Sequence, residues 1–168
     1  EPGFMSMGTH VRTGKNFVVS NNEGIGWGAT YQHDGANALQ HPSTSSVRNT
    51  SVEVLEHISN IFHDRLELIT DSAGAGRFRG GVGIRRDVSF IADSEMISMK
   101  KKTKTSGWGL NGGRADSKNK MIIWPGTDKE KYVGMYRTFM KKGESFQNYS
   151  AGGGGWGNPY AREIERII

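Results

Sequence analysis

The side chains best suited to chemistry lie in the first half of the chain. His33, Asp34 and His41 combine neutral nitrogen donors with a hard oxygen, a set that suits zinc, manganese or magnesium. A competing reading puts Asp34 and Gly35 in a turn, with the carboxylate accepting from local backbone amides. Arg48 and Asn49 stand just before a helix start, where an arginine can hold a carboxylate or phosphate. Arg48 could equally pair with Glu53 or Glu56. Arg77 and Arg79 sit in the run from Asp71 to Ile84 with five glycines, whose amides could join the guanidinium groups in cradling an anion. No G-x-x-x-x-G-K-[ST] sequence occurs, so the glycine density points first to a tight crossing between strands. The catalytic residues are not identified by pattern. No nucleophile elbow is present, and the absence of cysteine removes disulfides, thiolate zinc and a cysteine nucleophile.

The elements that must position these residues read mainly as strands. Residues 1 to 15 look irregular, and Asn16 to Ser20 form a short strand stopped by Asn21 and Asn22. Thr50 is expected as a helix N-cap with Glu53 as its capping-box partner, and Val54, Leu55 and Ile58 as the apolar face. Strands resume from Ile61. Val82 to Ile91, a turn at Ala92-Asp93-Ser94 and a return through Met96, Ile97 and Met99 suggest a hairpin, with Arg86 alone breaking the apolar side. Met121 to Trp124 is a brief strand, Lys131 to Met140 alternates weakly, and Lys142-Gly143-Glu144 marks a turn. Gly152, Gly154 and Gly157 match G-x-G-x-x-G, but no acidic partner can follow at the required distance. Asn158 and Pro159 open a closing helix carrying Ile164, Ile167 and Ile168. Trp27, Trp108 and Trp156 each lie in a glycine cluster and are expected to pack over bare backbone.

Composition agrees with that reading. The 168 residues include 24 glycines, and 35% are hydrophobic, which suits a β architecture with many corners. The expected fold is mainly β: layered, sandwich-like antiparallel sheets with one short internal helix and a C-terminal helix, in a single domain over 1–168. The net charge is +5, with Lys100, Lys101, Lys102 and Lys104 in one run that reads as a solvated strand end; nucleic acid is not expected as a partner. No apolar run approaches the roughly 20 residues of a membrane span, and no membrane partner is expected.

Taken in order, Gly26-Trp27-Gly28-Ala29, Asp34-Gly35, Arg48-Asn49-Thr50 with Glu53 to Glu56, Asp71 to Gly81, Trp108-Gly109-Leu110 with Gly112-Gly113, and Gly152 to Pro159 form a familiar series. It resembles the carboxy-terminal part of the hydantoinase B/oxoprolinase family, from about Gly24 onward. The resemblance implies part of an ATP-dependent amidohydrolase subunit that opens a hydantoin, 5-oxoproline or lactam. It implies a hydantoinase A-type ATP-using partner, and ATP and a divalent metal in the whole enzyme, with neither expected in this piece alone. The alternative within the family is ATP-dependent carboxylation of acetone or acetophenone. Outside it stands a free-standing β module for glycans or single-stranded nucleic acid, marked by exposed tryptophans over a basic groove. The resemblance also implies a larger cytoplasmic subunit, of which this chain is a C-terminal piece without catalysis of its own.

Overall fold

Period-two alternation places one face of each strand inside, and two sheets close on each other to bury those faces. The computed structural model describes residues 3–40 and 49–166. In chain order the elements are β1 Gly3–Thr9, β2 Asn16–Asn22, α1 Val52–Ile58, β3 Ile61–Leu68, β4 Ile84–Phe90 and β5 Ser94–Met99, then β6 Lys120–Ile123, β7 Lys131–Val133, β8 Met135–Met140 and β9 Ser145–Tyr149. One sheet has the order β2-β1-β5-β8 and the other β3-β4-β9-β6-β7. Their pairings are antiparallel.

The core lies between the sheets. Phe4, Val19, Met96 and Met140 come from the smaller sheet, and Ile61, Val88, Phe90, Met121, Ile123 and Phe146 from the larger. Phe4 and Phe146 meet edge-on across the gap at 4.9 Å, and Phe90 lies 6.0 Å from Phe146. Burial of such a side chain contributes about 1.5–3 kcal/mol.

The layered β class and the single internal helix are as the sequence suggested, and several local expectations are corrected. Residues 3–9 are not irregular but form β1, an interior strand whose inward residues are Phe4 and Ser6, a pattern too polar to stand out. The hairpin across Ala92–Ser94 does not form: β4 belongs to the larger sheet and β5 to the smaller, so this turn is a corner between layers. Lys131–Met140 likewise divides at Gly134, with β7 in one sheet and β8 in the other. Ser51, not Thr50, occupies the N-cap of α1 and makes no side-chain cap bond; Leu55 is buried, while Val54 and Ile58 are about half exposed. The closing helix is replaced by 3-10 turns at Pro159–Ala161 and Ile164–Arg166, the first capped by the Asn158 side chain. Ile167 and Ile168 lie outside the described residues.

Lys100 is the sharpest departure. Lys101, Lys102 and Lys104 are exposed, yet Lys100 is 2% exposed. It continues the inward series of β5, Ser94, Met96 and Ser98, by the same period of two. Arg86 obeys the same rule in β4 and is fully buried. Its guanidinium meets Glu23 at 2.6 and 3.3 Å, and Asn21 and Asn148 also donate to that carboxylate. The Lys100 ammonium donates to the Tyr149 carbonyl at 3.2 Å. Burial holds its pKa down at about 7, against the pull of Glu23.

Candidate functional site

The glycine clusters leave the sandwich at the end of β9 and come together. The run Gly152–Gly157 lies in the middle of this assembly. Gly26 donates to Ala151, Ala29 to Gly154, Gly74 to Gly153, Leu110 to Gly155, and Phe78 and Trp156 exchange bonds. Gly153 in turn donates to Gly81 and Gly155 to Arg114. The directions that side chains would take are closed by other backbone. A Cβ on Gly152 would meet Ser72 O at 2.0 Å, on Gly153 Trp27 O at 1.8 Å, on Gly154 Trp108 O at 2.0 Å and on Gly155 Ala75 O at 2.2 Å. Gly152 and Gly155 thus face the same neighbouring segment, a repeat of three residues, which is the period of polyproline-II backbone and not of a strand. The result is a lattice of backbone packed on backbone. Ser150 and Ser72 join it to the sandwich: Ser150 accepts from the amide of Ile84 and donates to Gly24 O, and Ser72 accepts from the amide of Gly83.

One open side of this lattice is a groove of about 410 Å³, with Gly28 and Gly152–Gly154 as its wall and Lys101, Lys102, Thr105 and Asp116 among its rim residues. Loops between β5 and β6 carry these side chains. They are held by Asn119, which donates to Lys101 O and accepts from the amide of Ala151, and by Ser117, which accepts from the amide of Gly152. Asp116 accepts from the amide of Gly107. Burial raises its pKa above the ordinary carboxyl range, and the bonds from Gly107 and its own amide, together with the charge of Lys102, oppose that rise. The groove therefore combines a carboxyl whose pKa burial raises, two ammonium groups and a wall of polar backbone. That set can orient a carbonyl compound and move one proton.

The residues singled out by sequence gather elsewhere. Asp34 takes both terminal nitrogens of Arg162 at 2.8 Å and the amide of Arg79 at 2.9 Å, and the Arg162 pairing lowers its pKa. Arg79 donates to Asn37 and to Gly80 O, and lies 4.0 Å from Asp34. Arg77 lies 5.6 Å over the Phe78 ring, and its carbonyl accepts from Arg162. His33 is exposed in a turn closed by Thr30, and Asn49 accepts from Gln40. His41 and Arg48 lie outside the described residues. Asp34, Arg77 and Arg79 thus meet at one corner, joined by an arginine the sequence did not flag. Among the described residues no three His, Asp or Glu side chains are grouped so as to hold a metal. Of the three tryptophans in glycine clusters, Trp27 and Trp156 are half-buried, whereas Trp108 is 73% exposed with Lys102 5.8 Å over its ring. Asp116 was missed because nothing local marks it; only the path of the glycine segments brings it to the groove.

Comparison with known proteins places these segments in context. The family model described as hydantoinase B/oxoprolinase matches residues 2–159. The chain belongs to the hydantoinase B/oxoprolinase family. An uncharacterized protein of Methanocaldococcus jannaschii is 32% identical over 120 residues, covering 71% of this chain and 21% of that protein. The caprolactamase subunit beta of Pseudomonas jessenii is 30% identical over 131 residues, covering 70% and 21%. The solved ATP-dependent caprolactamase of that organism has a TM-score of 0.80 at 23% identity, covering 98% of this chain and 30% of that one. Nucleotide-free acetone carboxylase has a TM-score of 0.83 at 19% identity, covering 99% and 27%. The chain therefore shares its fold with these two solved structures, and spans about a fifth to a third of the length of these relatives. Among the described residues no helix is long and apolar enough to cross a membrane.

Proposed function

We propose that this chain is part of a longer cytoplasmic hydantoinase B subunit that, with a hydantoinase A-type ATP-using partner, opens a cyclic amide or imide of the hydantoin, 5-oxoproline or lactam type. The observation that carries this reading is the groove: glycines of the segments on which the resemblance rests build its wall, and Asp116 stands on its rim with a raised pKa. The similarity to a caprolactamase subunit over 70% of the chain supports the hydrolytic branch. The subunit naming of that relative supports a partner. ATP bound to the partner would supply the activation of the carbonyl. The residues of this chain orient the substrate against the glycine wall, exclude side chains from that wall, and let Asp116 accept or return a proton as the ring opens.

The test is an assay of the intact subunit with its ATP-using partner on 5-oxoproline, hydantoin and caprolactam. Ring opening that requires ATP is the expected result. Asp116→Asn is expected to lower kcat by about 10²-fold with KM changed much less, the range of a lost proton-transfer group. ATP consumption that depends on acetone and bicarbonate, with no lactam opened, overturns the hydrolytic reading in favour of carboxylation.

A further inference from the structure

An antiparallel sheet with one face in water carries polar residues on that face. On the smaller sheet Asn16, Ser20 and Asn22 of the edge strand β2 and Thr9 at the end of β1 follow that rule, but the strip across β1, β5 and β8 does not. The register sets Val18 opposite Met7, Met5 opposite Ile97, and Met99 opposite Met135, with Phe139 beside Glu95, all on the face turned away from the core. Val18 is 65% exposed, Met135 64% and Phe139 71%, and the other apolar members are half-buried only by their neighbours. Glu95 and Arg137 are the charges on this face within the four strands, and they pair with each other. Away from the β2 edge, the face is thus largely apolar, methionine-rich and electrically neutral. Its partner sheet across the core lies on the other side, so the strip over β1, β5 and β8 has the composition of an interior layer on its outer face too.

We propose that further polypeptide of the same subunit covers this face, making the smaller sheet an internal layer of the intact protein. The inference rests on the reading of the chain as part of a longer subunit. Size chooses the occupant. Four strands about 4.8 Å apart and some 17 Å long present roughly 300 Å². A stable independent dimer needs about 800 Å² per partner, so a second copy of this chain would be held too weakly by this patch. A covalently attached segment carries no such requirement, because its effective concentration replaces area. The relatives supply the length: this chain spans 21% of two of them and at most 30% of the solved structures. The covering surface is apolar and uncharged at its centre, since the only charges it meets are already paired.

Methionine oxidation reads this face directly. Met5, Met7, Met99 and Met135 lie on it, while Met96, Met121 and Met140 are fully buried between the sheets and serve as internal references. The protein as made in the cell is weighed intact, then treated with dilute hydrogen peroxide and mapped by peptide mass. Expected is a mass well above 18.5 kDa, with the four outer methionines oxidised as slowly as the three references. A larger mass with the outer four oxidising about tenfold faster than the references overturns this inference and leaves the longer subunit standing. A native mass of 18.5 kDa overturns both. Protection that fades on dilution assigns the face to a second copy and overturns the proposal too. As a second measurement, Phe139→Lys in the intact protein is expected to abolish its accumulation in folded form; unchanged folding and yield overturn the covering layer.

Discussion

Two regions of this protein reach high density by opposite means. Between the sheets, side chains interlock: Phe4, Phe90 and Phe146 fill space, and Glu23 neutralises Arg86 inside it. In the glycine lattice, side chains are excluded and amides bond carbonyls of segments far apart in sequence. The first can relax, because rotamers adjust to altered volume. The second has no such freedom, since its contacts are between backbones and every adjustment moves a chain. The difference teaches that glycine in this lattice acts by what it omits, and that the groove inherits a rigid wall from the omission.

The comparison breaks first at Gly80. An added Cβ there would meet Gly153 O at 1.7 Å, so Gly80→Ala is expected to cost more than about 4 kcal/mol and leave little folded protein on thermal melting. Gly14 is the control: it has a positive φ of 67° with nothing within 4 Å, and Gly14→Ala is expected to cost about 1–2 kcal/mol. Equal effects at the two sites would show that the lattice yields. Next comes Arg86→Met, which strands Glu23 without its main partner and is expected to cost about 3–5 kcal/mol in denaturant unfolding. Adding Glu23→Gln should return part of that loss, as expected for a region that can repack.

A smaller effect than that of Arg86→Met sharpens the picture of the core. Lys100 has its pKa lowered to about 7 in the folded protein, against 10.5 for the free side chain. Between those values the unfolded chain binds the proton more strongly, so stability rises with pH. The contribution is whole above pH 10.5 and is lost as pH falls through about 7. Lys100→Met removes this dependence, and at pH 7 it is expected to stabilise by about 2 kcal/mol. The measurement is the difference in unfolding free energy between wild type and variant from pH 7 to 10; a constant difference refutes the assignment.

The sequence made the β class, the glycine crossing and the turns legible, because period-two alternation and glycine density are local signals. Sheet membership was not legible. Ala92–Ser94 reads as a hairpin turn, and only the pairing of β4 with β9 and of β5 with β1 reveals a corner. Arg86 was read on the apolar side of its strand and is buried there; Lys100 keeps the inward period of β5 as well, but its run of lysines argued for solvent. The site fared least well. Asp34 was read with His33 and His41, and Arg77 with Arg79 in a separate cradle, whereas the structure joins Asp34 to Arg79 and to Arg162 from 128 positions further along, a partner that no spacing rule supplies. Asp116 reaches the groove by the same kind of long connection.

The strand orders carry a last consequence for how the protein is made. The larger sheet runs β3-β4-β9-β6-β7, so the strand joining its two halves, residues 145–149, is the last to be synthesised. The smaller sheet receives its fourth strand, residues 135–140, only slightly earlier. Throughout translation of everything before them, unsealed strand edges emerge from the ribosome with no mate to shield them. A nascent chain arrested anywhere short of Tyr149 is therefore a ready client for chaperones, whatever the stability of the finished molecule.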